Sequence, residues 1–130
     1  MARRKKNTGM IVGTIVIILA ALITYQTYRA TIEDPLQSAI AQCLTENGVI
    51  MYGLDTCPAC AQQKRVFGTS FKHITYIEGS RSPNEYREAA VAFDAIPAWR
   101  FGDEFTTGVM GIGELAERGG CAHLLEQELV

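Results

Sequence analysis

The chain has no acidic residue before Glu33, and its first charges, Arg3, Arg4, Lys5 and Lys6, are all positive. From Arg29 onward the balance reverses to 8 basic and 14 acidic residues, a net charge of -6. That sign excludes nucleic acid as a partner, because binding phosphates needs a basic face. Histidine is scarce: His73 and His123 are the only two, and each stands alone. Structural zinc draws on close pairs of ligands, and of the four cysteines only Cys57 and Cys60 are close. No metal site is therefore expected, and both histidines read as surface or hydrogen-bonded side chains. Internal repeats, low-complexity tracts and a second long apolar run are also missing. Beyond the N-terminal apolar run lie about 100 residues, enough for one domain with one core.

Residues 7–28 carry no charge, and their densest apolar part is 10–23. A signal peptide has an apolar stretch of about 7–15 residues and a small-x-small cleavage site. A membrane anchor needs about 20 apolar residues, with a lower limit near 17. Ala39-Ile40-Ala41 is too far along to serve as a cleavage site, and Tyr25 and Tyr28 suit an interfacial belt. An uncleaved single-pass anchor is the preferred reading. It divides the chain into a cytoplasmic basic N-terminus (1–8), an anchor (9–28), a polar tether (29–34) and a globular domain (35–130). The positive-inside rule then puts the domain outside the cytoplasm, where disulfides persist.

Within the domain, Asp34 and Pro35 read as the cap and first turn of a helix with Leu36, Ile40, Cys43 and Leu44 on one face. Residues 49–54 are a short continuous apolar run, read as a buried strand. A second helix opens at Cys57 or Pro58 and reaches Gly68. Residues 73–78 read as a strand. Ser82 and Glu85 resemble a capping box for a helix carrying Tyr86, Ala89, Ala90 and Phe93. Residues 98–101 and 105–109 form a hairpin across Gly102-Asp103-Glu104, with Trp99 and Phe101 packing the sheet. A last helix at 113–118 breaks at Gly119-Gly120, and 123–130 continues helically. Alternation followed by a hairpin implies an α/β fold with a central mixed sheet flanked by helices.

The chemistry sits in Cys57-Pro58-Ala59-Cys60, directly behind the first strand. The spacing keeps both sulfurs near enough for a short disulfide, and a helix N-terminus favours thiolate over thiol. Cys57, at the exposed end, reads as the nucleophile, and Cys60, one turn in, as the resolving thiol. The pair itself carries two electrons, so no further cofactor is called for. Lys64 and Arg65 read as a solvated helix face. Cys43 and Cys121 are either a structural disulfide or two buried thiols.

The element order, the C-x-x-C motif and Ile96-Pro97 before the hairpin resemble the thioredoxin fold. The nearer resemblance is to the thioredoxin-like domain fused to bacterial vitamin K epoxide reductase homologues, and to its free-standing, membrane-anchored relatives. It rests on Tyr52-Gly53, Cys57-Pro58-Ala59-Cys60, Gln63-Lys64, Phe67-Gly68, Ile96-Pro97-Ala98-Trp99, Thr107-Gly108-Val109 and Glu114-Leu115-Ala116. Cys43-Leu44-Thr45-Glu46 and Gly120-Cys121 fit the same group. The resemblance implies that Pro97 is cis and faces the cysteines, with Pro58, Ala59, Ile96 and Pro97 contacting substrate. It also implies exchange with protein thiols and disulfides. A vitamin K epoxide reductase-like or Dsb-type quinone reductase is the implied membrane partner.

Three departures matter. Relatives usually carry Cys-Pro-His-Cys, and Ala59 in place of histidine implies a less oxidising pair. Met51 stands where thioredoxins have a buried aspartate. With a single hydrophobic segment the chain is not itself the quinone reductase. Disulfide formation is the first expectation, with reduction of extracytoplasmic disulfides or a non-catalytic binding module as alternatives.

Overall fold

The computed structural model describes residues 2–127; residues 1 and 128–130 and the side chains of 2–7, 30 and 31, the basic run among them, lie outside the described residues. The chain divides into two units, Met1–Ile32 and Glu33–Val130. The first is a helix, α1 (Ala2–Thr31). Its stretch Thr8–Arg29 has 22 residues at a mean hydropathy of 2.2. At 1.5 Å per residue that is about 33 Å, against about 30 Å of bilayer hydrocarbon. Thr14 and Thr24 return their hydroxyls to the carbonyls of Ile11 and Ala21, each at 2.9 Å, so neither needs water. This length and composition suit a membrane anchor and a signal sequence alike. The helix runs on through 29–31, the first half of the segment read as a tether, because no proline or glycine stops it there.

The second unit contains α2 (Pro35–Glu46), β1 (Ile50–Gly53), α3 (Pro58–Phe67), β2 (Thr75–Glu78) and α4 (Pro83–Ala90). Next along the chain come β3 (Ala98–Phe101), β4 (Glu104–Thr107), α5 (Ile112–Arg118) and α6 (Ala122–Gln127). The sheet order is β2-β1-β3-β4. Strand β2 runs parallel to β1, and β3 is antiparallel to both β1 and β4. This four-stranded mixed sheet flanked by helices is the thioredoxin-like arrangement that the element order implied.

Local chemistry sets the element ends. Asp34 accepts the Leu36 and Gln37 N–H groups, each at 3.0 Å, and starts α2. Gly48, at φ +77°, turns the chain out of that helix in a conformation other residues resist. After α3 a 3₁₀ turn, Gly68–His73, takes up residues 69–72, which the sequence pattern left unassigned, together with Gly68 and His73. It closes with the Ile74 N–H on the Phe71 carbonyl, so β2 starts at Thr75 rather than at His73. The capping box expected at Ser82 is absent. Pro83 takes the first helical position and Ser82 sits at ψ 63°, away from extended cap geometry, so its hydroxyl makes no capping bond. Helix α4 also ends before Phe93.

The two sheet faces differ. On one, Ile40 and Leu44 of α2, Met51, Phe67, Trp99 and Leu115 are fully buried. On the other, α4 contributes no buried residue. An open cavity of about 510 Å³ lies there, lined by Ile50, Tyr52, Ile77 and Phe105 among others. Aromatic rings partly fill this face: Tyr52 and Phe93 have centroids 5.7 Å apart, and Tyr86 meets Phe93 edge-on at 5.9 Å.

Candidate active site

Strand β1 ends at Gly53, and a short loop delivers Cys57 to the N-cap of α3, with Pro58 at the first helical position. Pro58 costs no hydrogen bond there, since the first N–H groups of a helix have no partner within it. One of those free groups, the Cys60 N–H, donates to Cys57 Sγ at 3.2 Å. Cys57 is half-buried and Cys60 fully buried one turn behind it, and both are free thiols. Pro58 is exposed and Ala59 half-buried, so the outer rim of the motif reaches solvent.

The Ile96–Pro97 peptide is cis. Pro97 is buried, and its carbonyl accepts the Gly108 N–H at 2.8 Å, which ties the loop to the end of β4. The Ile96 carbonyl lies 3.8 Å from Cys57 Sγ. Residues 39 positions apart therefore meet at one sulfur. Beside them, Tyr86, Ala90, Phe93, Asp94, Ala95 and Ile96 line a shallow cavity of about 180 Å³.

Burial pushes the Cys60 thiol up to about 11, with the hydrogen bond shared with Cys57 as the next cause. The protonated form of Cys60 is thus the resting form at neutral pH. A carboxylate pathway for its proton is missing at the expected position, because Met51 is fully buried there.

Several structuring residues escaped sequence reasoning. Gln63 is fully buried in α3 and pairs with the Met110 backbone through both ends of its amide. It accepts the Met110 N–H at 2.7 Å and donates to the Met110 carbonyl at 2.9 Å. This amide fixes the chain leaving β4 against α3. Its signal was positional: 60, 63 and 67 share one helix face, so a polar residue there needs a buried partner. Glu78, at the end of β2, accepts three backbone N–H groups, from Asp55 (3.1 Å), Ser80 (2.8 Å) and Arg81 (2.9 Å). Burial works against its charge, but those donors together hold the carboxyl below its usual range. Glu78 thereby joins the loop before Cys57 to the loop after β2.

Lys64 is more than a solvated side chain. Its ammonium pairs with Asp55 at 2.8 Å and stands 4.2 Å from the Tyr76 ring centroid. Arg81 also pairs with Asp55. Hydrogen bonding to Lys64 is the main cause that holds the Asp55 carboxyl low. Arg65 is exposed, and Trp99 of β3 is fully buried in the core.

On the far side, Cys43 in α2 and Cys121 before α6 form a disulfide with Cα atoms 6.1 Å apart. Asn47 caps it, its amide lying 3.7 Å from Cys43 Sγ and 3.6 Å from Cys121 Sγ while donating to the Gly119 carbonyl at 2.7 Å.

The arrangement can perform one kind of chemistry readily: nucleophilic attack by an accessible sulfur backed by a second, buried one. No family model matches the sequence. A comparison with characterised proteins finds the thiol-disulfide oxidoreductase LTO1 of Arabidopsis thaliana, 30% identical over 105 residues. The match takes in 74% of this chain but only 27% of that protein's length. Over most of its own length, then, the chain is similar to part of a thiol–disulfide oxidoreductase.

Proposed function

We propose that the chain is a membrane-anchored, extracytoplasmic thiol–disulfide oxidoreductase that exchanges the Cys57–Cys60 pair with protein substrates. The observation that carries this is the stacking of a half-buried Cys57 over a buried Cys60, with the Ile96 carbonyl 3.8 Å from the outer sulfur. In the reducing direction, Cys57 thiolate attacks a substrate disulfide and one substrate sulfur leaves. Cys60 thiolate then attacks Cys57, forming the Cys57–Cys60 bond and releasing the second substrate thiol. Oxidation of a substrate dithiol is the same sequence reversed. Ile96, Pro97, Pro58 and Ala59 form the rim a substrate strand meets, and the small cavity beside Ile96 takes an apolar side chain.

Disulfide formation, with a vitamin K epoxide reductase-like or Dsb-type quinone reductase re-oxidising the pair, is the favoured direction. An anchor raises the effective concentration of such a membrane partner. Ala59, where relatives resembling this chain carry histidine, favours the reductive alternative. Equilibrating the full chain in detergent with graded glutathione buffers decides between them, with mass spectrometry identifying the bonded cysteines. A potential above about -200 mV supports disulfide donation, and one near or below about -270 mV supports reduction. Absence of a reversible Cys57–Cys60 couple overturns the enzyme reading.

A further inference from the structure

Resolution requires Cys60 to become a thiolate inside a fully buried site, and no carboxylate occupies the position of Met51. The space around its sulfur contains a different polar group. A Cβ placed on Gly53 would stand 2.8 Å from Cys60 Sγ and 3.2 Å from the Tyr76 hydroxyl. The two atoms therefore share the gap that the missing side chain leaves, and no larger residue at 53 would let them do so. The Tyr76 hydroxyl is buried and has no hydrogen-bond partner among the described residues. An orphaned buried hydroxyl destabilises the fold, so its retention beside a reactive sulfur calls for a partner at another stage. Lys64 over the ring face and Phe71 against it, centroids 5.5 Å apart, keep the phenol aimed into this gap. Burial, followed by the charge of Asp55, pushes the phenol's ionisation upward, so it stays a donor throughout the working range.

We propose that Tyr76 is the hydrogen-bond donor that receives the Cys60 thiolate as the mixed disulfide is resolved. The proposal deepens the exchange reading and rests on it. In that step Cys60 thiolate attacks Cys57 Sγ, the Cys57–Cys60 bond forms, and the bond from Cys57 to the substrate sulfur breaks. The substrate leaves as thiolate and takes up the proton that Cys60 gave up, so the phenol keeps its own. The titratable groups facing this sulfur are Cys57 at the N-cap of α3, Lys64 in α3, Tyr76 in β2 and Tyr86 in α4, while Asp55, Glu78 and Arg81 face the phenol of Tyr76.

The test uses the full chain in detergent and a chromogenic aryl disulfide, 5,5′-dithiobis(2-nitrobenzoate). Cys57 attack releases a first thionitrobenzoate, and closure by Cys60 releases a second. Tyr76→Phe keeps the ring and its contacts. It is expected to leave the first release unchanged, slow the second about tenfold at pH 8, and move its pH profile upward by about one unit. Melting is expected to be unchanged or slightly higher, because the lost hydroxyl had no partner. A second release within twofold of the parent, with an unmoved pH profile, overturns the proposal. Should the variant not fold, 3-fluorotyrosine at position 76 gives the same decision: its fluorine resonance must titrate with Cys60, and an invariant resonance overturns the proposal. Failure of the first release would instead count against the exchange reading itself.

Discussion

The two cysteine pairs make opposite use of the same element. Cys57 and Cys60 are free thiols one helical turn apart, with the outer sulfur half-buried under the Ile96 carbonyl. Cys43 and Cys121 are bonded across 78 residues, with Asn47 lying over both sulfurs. Short spacing at a helix N-terminus leaves one sulfur accessible and hydrogen-bonded by the Cys60 N–H, which suits exchange. Long spacing between helices closes a large loop and restricts the unfolded chain, which suits stability. The difference lies in placement rather than in the residue.

The sharpest way to break this contrast is to exchange the consequences. Cys57→Ser is expected to reduce glutathione-disulfide exchange to the uncatalysed rate while leaving urea unfolding almost unchanged. The double variant Cys43→Ser, Cys121→Ser should do the reverse, losing about 4 kcal/mol of stability on the chain-entropy scale with exchange within about twofold. If the double variant lost exchange at an unchanged melting point, the division between the pairs would fail.

Next in size is the frame around the reactive pair. Gln63→Leu leaves the Met110 N–H and carbonyl without their buried partner, and a loss of about 2–3 kcal/mol is expected in chemical denaturation. Ala59→His should shift only the Cys57–Cys60 equilibrium, by tens of millivolts toward the oxidising side, read in glutathione buffers. Mass spectrometry of the same samples should show Cys43–Cys121 bonded throughout.

The smallest effect concerns the start of α2, the helix that carries Cys43. Glu33 pairs with Lys72 at 2.6 Å and meets His73 at 2.5 Å. Hydrogen bonding to Lys72, then to Ser38, lowers its carboxyl from 4.5 to about 2. A lowered folded value means that the contribution is complete above about pH 4.5 and fades as pH falls toward about 2. Glu33→Gln should therefore flatten the melting-temperature profile across that window and leave it unchanged in shape near neutrality.

Much of the fold and half of the site were legible because their signals are local. Asp34-Pro35 announces a helix start by itself, and C-x-x-C behind an apolar run does not depend on distant residues. Ile96-Pro97 was placed by resemblance, and only the folded chain shows how close its carbonyl comes to the sulfur. Tyr76 and Gly53 were unreadable in their role, because a glycine's use as a gap appears only when β1, β2 and α3 are packed together. Glu78 looked like an ordinary strand end until three loop N–H groups converged on it. Ser82 misled for the converse reason: its sequence context fits a capping box, but the backbone angle before Pro83 turns the hydroxyl away.

The bond between Cys43 and Cys121 also determines what a protease can achieve. The segment after α4 includes Val91, which is 89% exposed, and it lies between the bonded positions. A single backbone cut there produces two fragments that remain one covalent molecule. Damage at this exposed stretch would therefore pass unnoticed on a non-reducing gel, and the two halves could not diffuse apart until a reductant reached the far side of the domain.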